Sequence, residues 1–150
     1  QTCALPIYAA SRGATAYAKL SAVSSDLGKR DGGKGQARLD QMFEKLGIEA
    51  PDAAMSGASG VTSATELEFG WLSSQFGPEF PVRAFKTLLG QPLEACFPTG
   101  VALSAIALKN KGFYAPFEPD EMPAQSEVSS ILVTSIAHLF GEGFALVEAI

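Results

Sequence analysis

An α/β fold is predicted, on three observations. Two stretches carry apolar residues at helical spacing, a third is hydrophobic all round, and two short apolar runs late in the chain have strand length. Helices thus alternate with strands, the pattern of a layered sheet.

Taken in order, Arg12 to Ser24 carries Tyr17, Leu20 and Val23 among small residues and ends in Ser-Ser-Asp-Leu-Gly, which predicts a strand and a turn. Gly32-Gly33-Lys34-Gly35 is then a connecting loop. Leu39, Met42, Phe43 and Leu46 share one helical face and Gly47 suits a left-handed cap, so the spacing predicts a helix over 36–46. Ser63-Ala-Thr-Glu66 has capping-box spacing, and Leu67, Trp71 and Leu72 continue a helical stripe to Phe76, where Gly77-Pro78 stops it.

Val101 to Leu108 is apolar on every side, so a helix there has to be covered on all faces, at the centre of a layered structure. Lys109 to Gln125 alternates prolines with Phe113, Tyr114 and Phe117, a long ordered loop whose aromatics pack on something. Ile131 to Ile136 and Phe144 to Val147 read as two buried strands joined by a glycine loop.

Composition narrows the function. At 150 residues the chain suits one domain, and 47% hydrophobic against 18% charged residues gives it a real core. A net charge of −5 and a pI near 4.8 supply no basic surface, which argues against nucleic acid and acidic membranes as partners. No apolar run approaches the roughly 20 residues that span a bilayer. Cys3 and Cys96 are far apart, which suggests neither a disulfide framework nor a metal site, and a reducing cytoplasm fits best. Residues 1–8 lack an initiator Met and a charged leader, and read as a foreign or broken end of a fragment whose domain is 9–150.

Four segments resemble the C-terminal half of the β-ketoacyl-acyl carrier protein synthase family. Arg12-Gly-Ala-Thr-Ala-Tyr-Ala18 is similar to the strand that opens this half, and Gly35 through Leu46-Gly-Ile48 to the helix that follows. Met55-Ser-Gly-Ala-Ser-Gly-Val-Thr-Ser63 resembles the family's N-A-H-G-T-x-T turn, with Gly60 kept and Ser59 where the first catalytic histidine would stand. Phe85-Lys-Thr-Leu-Leu-Gly-Gln91 resembles T-K-S-x-x-G-H, keeping Lys86 and Gly90, with Gln91 at the second histidine. Phe113 to Pro119 and Gly141 to Val147 are similar to the proline-rich segment and the closing glycine turn and strand.

The resemblance implies a thiolase-like fold, this chain being the C-terminal half of an αβαβα arrangement with a buried central helix. It also implies decarboxylative condensation: a cysteine of the N-terminal half holds an acyl chain while two imidazoles polarise a malonyl thioester on acyl carrier protein, with no cofactor and no metal. Such donors act where charge develops in the transition state. Serine and glutamine can donate hydrogen bonds but exchange no proton near neutral pH, so condensation by this chain is expected to be badly impaired. Lys86, the family lysine, tunes neighbouring charge or holds a salt bridge.

The remaining candidates have plainer readings. His138, the only histidine, reads as a hydrogen-bonded structural residue, with a displaced acid–base group as the alternative. Cys96 reads as a small buried hydrophobe rather than a nucleophile with His138 as base. The Gly-Ala-Ser-Gly60 run lacks the spacing of a nucleophile elbow, and Gly32, Gly33 and Gly35 lack that of a phosphate loop.

Three functions follow as expectations. The first is a degenerate, chain-length-factor-like subunit of fatty acid or polyketide elongation, dimeric with a ketosynthase paralogue or itself. The second is an active synthase using Gln91 and His138, and the third a non-enzymatic fragment that binds acyl groups or acyl carrier protein. Without a mate, the 101–108 helix would be left exposed.

Overall fold

The computed structural model describes residues 4–124 and 127–150. Cys3, with the rest of 1–3, and Gln125, the last residue of the expected loop, lie outside the described residues. Helix α1 is Ala4–Ser11, followed by β1 (Lys19–Asp26), α2 (Lys34–Leu46), β2 (Ala53–Ser56), α3 (Thr62–Phe76) and β3 (Val82–Ala84). Then come α4 (Lys86–Leu89), α5 (Cys96–Lys109), β4 (Ser130–Ile136) and β5 (Glu142–Glu148).

The strands form one sheet in the order β1-β5-β4-β2-β3. β2 pairs parallel with β3 and β4, whereas β5 pairs antiparallel with β4 and β1. Strand alternation divides the core. Ala54, Leu132 and Phe144 meet Leu39, Met42, Ala64, Trp71 and Leu72 of α2 and α3 on one face. Ala53, Met55, Ile131, Val133, Ala145 and Val147 meet α5 and the aromatic loop on the other. The result is three layers, helix–sheet–helix.

α2 carries its apolar stripe inward and ends, as expected, at Gly47 with φ 62°. β4 and β5 are the expected buried pair. Phe113, Tyr114 and Phe117 are partly buried on the α5 face, and the described part of their loop forms neither helix nor strand.

Several expectations need correction. The first strand begins at Lys19 rather than Arg12: Lys19 has Glu148 of β5 as its pairing partner, whereas residues before it are mostly exposed and Gly13 turns the chain at φ 69°. The glycine segment is only partly loop. Asp31–Gly33 is a 3₁₀ turn, and Gly35 already lies in α2, where a Cβ would come within 2.9 Å of Leu67 Cδ2. The capping box does not form, since α3 starts at Thr62, Val61 occupies the cap without a side-chain bond, and Ser63 lies inside the first turn.

α5 is longer than expected and is not covered on all faces. Gly100, Ser104, Ala107 and Leu108 are buried against the sheet, which Gly100 approaches so closely that a Cβ would come within 2.8 Å of Val133. On the far side Ala102 is exposed and Ile106 is 40% exposed, as expected for this helix without a mate. β2 and β3 were not anticipated as strands.

Candidate functional site

Because β2, β3 and β4 run parallel, their carboxyl ends lie along one edge of the sheet, the usual place for a site in a parallel sheet. The segments leaving those ends are 57–61, 85–95 and 137–141. They carry Ser59, then Lys86 and Gln91, then His138, so topology alone brings the four candidates to one edge.

The turn after β2 is held tightly. Gly57 N donates to Thr134 O at 2.8 Å, and Ala58 N donates to Ser56 Oγ at 3.0 Å. A Cβ on Gly57 would meet Thr134 O at 2.9 Å, Cys96 Sγ at 3.2 Å and Ser135 Cβ at 3.3 Å, so the first residue of the turn has no room for a side chain. Ser59 lies two residues on, half-buried, its Oγ accepting from Val61 N at 3.4 Å.

Beneath the turn lies Glu68 of α3, 1% exposed and not anticipated from the sequence. Its Oε1 accepts from Ser56 Oγ at 2.6 Å and from Thr134 Oγ1, tying β2 to β4, while Oε2 has no partner among the described residues. Burial pushes its pKa above the ordinary carboxyl range; the Ser56 and Thr134 hydroxyls, the charge of Lys86 and the Ile136 backbone pull the other way. Glu68 thus joins β2 to β4 and feels the charge of Lys86, two residues beyond β3. A signal existed in the sequence: Glu68 lies four residues after Ala64 and four before Leu72, on the buried stripe of the helix.

Lys86 opens α4, half-buried, and its charge acts on Glu68; no ion pair to it forms among the described residues. Gln91 is exposed beyond Gly90. His138 is also exposed, and the hydrogen bond it supplies comes from its backbone, whose carbonyl accepts from Arg30 Nη1 at 3.4 Å. Arg30 also holds buried Glu142 at 2.6 Å, and Arg38 approaches the same carboxylate at 3.4 Å, so the 137–141 turn is anchored by ions.

Cys96 is buried at the start of α5, its Sγ 3.8 Å from Ser135 Oγ. Among the described residues no hydrogen bond or ion pair links Ser59, Lys86, Gln91 and His138 through their side chains. The edge therefore offers hydroxyl and amide donors and one ammonium over a buried carboxyl. Among the described residues no cluster of His, Cys, Asp and Glu could hold a metal, and no helix is long and apolar enough to cross a membrane.

No family model and no curated protein sequence matches the chain. Solved structures do. The ishigamide ketosynthase/chain length factor superposes with a TM-score of 0.72 at 16% identity, covering 96% of this chain and 41% of that one. A type II acyl carrier protein in complex with its ketosynthase bound to the hexaketide gives 0.71 at 15%, covering 96% and 41%. A beta-ketoacyl synthase from Burkholderia phymatum gives 0.68 at 15%, covering 96% and 40%. The chain therefore has the thiolase-like ketosynthase fold, and it spans about two-fifths of the length of these structures.

Proposed function

We propose that the chain is the C-terminal part of a ketosynthase-like subunit of acyl-chain elongation that does not itself condense, acting in the cytoplasm in the manner of a chain length factor. The observation that carries the reading is the edge where the three strand ends converge. That edge carries Ser59 and Gln91, which by the family resemblance stand where two imidazoles would be and, in this reading, hydrogen-bond an oxyanion but transfer no proton near neutral pH. Loss of one oxyanion donor costs on the order of 10²–10³ in rate in other enzymes.

The partners in this reading are an acyl carrier protein bearing an acyl or malonyl thioester and a ketosynthase paralogue. Support comes from two of the similar structures, one described as a ketosynthase/chain length factor and one as a carrier protein in complex with its ketosynthase. Lys86 in this reading keeps the buried Glu68 carboxylate in balance rather than touching substrate.

The test is malonyl-carrier-protein decarboxylation and acyl condensation by the complete protein, with and without a candidate partner synthase. Activity only with the partner is expected. Robust activity of the protein alone, abolished by Gln91→Ala, would overturn the proposal in favour of an active synthase with altered donors.

A further inference from the structure

Strand β1 forms one outer edge of the sheet: β5 pairs with one side of it, and among the described residues no strand pairs with the other. An open edge is a template for a further strand. Residues opposite one another in an antiparallel pair share a face, so the pairing with β5 fixes where the side chains of β1 lie. Leu20 and Val23 stand opposite Val147 and Ala145, on the α5 face, and are 52% and 56% exposed. Ala22 and Ser24 stand opposite Leu146 and Phe144, on the α2 face.

The register shifts between Leu20 and Ala22, so Ser21 is an extra residue, its hydroxyl donating to Glu148 of β5. Seven residues remain in the ladder, and Val23 is fourth from either end. A second copy laid antiparallel along this edge, with a two-fold axis at Val23, sets Lys19 against Asp26, Leu20 against Ser25 and Ala22 against Ser24. Each of these pairs shares a face, and the two exposed valines meet at the axis. With Ser21 in the ladder, the axis would instead fall between Ala22 and Val23 and oppose side chains of different faces.

Charged residues on an edge ordinarily discourage pairing, but Lys19 and Asp26 are opposite in sign and attract in this one register. Neither is held by a close ion pair within its own chain, Lys19 lying 3.9 Å from Glu148 and Asp26 4.0 Å from Arg38. One strand pair is a small interface, below the roughly 1,200 Å² of stable complexes, so the association is expected to be weak.

We propose that β1 is a self-association edge, pairing antiparallel with β1 of a second copy of this chain about a two-fold axis at Val23. The proposal uses none of Ser59, Lys86, Gln91 and His138, and its test reads association rather than condensation, so either reading can fail alone.

In sedimentation velocity, the 150-residue chain is expected to move from monomer towards dimer as its concentration rises. Val23→Lys, at an exposed position, sets two ammonium groups face to face at the axis and should weaken association about tenfold or more. Ile106→Lys, on the uncovered side of α5, should associate as the parent does. In a Cys3→Ser background, Val23→Cys should form an interchain disulfide under mild oxidation, since directly opposite Cα atoms lie about 4.5–5.5 Å apart. Ser25→Cys should not, because the two copies of position 25 stand four ladder positions apart, about 13 Å. No concentration dependence, undiminished association in Val23→Lys, its loss in Ile106→Lys, or cross-linking that does not favour position 23 over position 25 would each overturn the proposal.

Discussion

Replacing Gly57 by alanine probes the tightest point of the candidate edge. The new Cβ would lie 2.9 Å from the Thr134 carbonyl oxygen, which is backbone and cannot rotate aside. That oxygen already accepts from Gly57 N at 2.8 Å, so any movement that relieves the contact also lengthens the bond. Overpacking of this kind costs about 1–3 kcal/mol, and weakening a backbone hydrogen bond adds about 1 kcal/mol. The expected loss is therefore roughly 2–4 kcal/mol.

Part of that loss belongs to a separable neighbour. Cys96 Sγ would be 3.2 Å from the same Cβ, and Cys96→Ala removes it. The double variant should then be less destabilised than the two single changes added, by about 0.5–1 kcal/mol. Urea unfolding of the parent, both single variants and the double variant reads all four terms. A Gly57→Ala variant within about 0.5 kcal/mol of the parent, or strict additivity with Cys96→Ala, would refute the claim that position 57 has no room for a side chain.

Two further predictions concern titration. For Glu68, whose folded pKa is raised above 4.5 chiefly by burial, the wild type loses stability as pH rises from the unfolded to the folded value. Glu68→Gln, which does not titrate, should therefore gain on the wild type in urea midpoints as pH is raised above 4.5, and the opposite trend would contradict the assignment. For Asp52, burial raises the pKa, but hydrogen bonds from the backbones and hydroxyls of Ser129 and Ser130 together outweigh it and leave the value lowered. Its contribution is present above the unfolded value of 3.8 and lost as pH falls through the folded one, so Asp52→Asn should cost about 1 kcal/mol near neutrality and much less near pH 3. An equal cost at both pH values would refute it.

Much of the fold was legible because burial leaves periodicity behind. The stripe of α2 and the β-branched run of β4 each identified their element, and the proline-rich loop was recognisable by its interleaved aromatics. β2 was not, because Ala53-Ala54-Met55-Ser56 is short and has poor strand propensity; its burial comes entirely from its neighbours. β3 hides for a different reason: Arg83 lies in the middle of three residues, fully buried, bonded to the Tyr114 and Met122 carbonyls of the loop that covers it. At the candidate edge the sequence supplied Ser59, Lys86 and Gln91 through resemblance and His138 as its single histidine, whereas parallel pairing was needed to bring them to one edge. The Glu68 carboxyl was missed because a glutamate within a helix is ordinarily solvated, and only the tertiary fold closes over it.

The strand order carries a consequence for how the chain reaches its native state. Two of the three interior strands, β4 and β5, are the last to appear along the sequence, while β1 pairs with β5 so that Lys19 meets Glu148. Neither β1 nor the β2–β3 pair touches the other, and both depend on a template completed long after they are made. Such distant pairing makes folding slow, roughly milliseconds to seconds for simple chains of this kind. On the ribosome, α2 and α3 therefore emerge with apolar faces open and no sheet to cover them, and that interval is when the nascent chain most needs a holding chaperone.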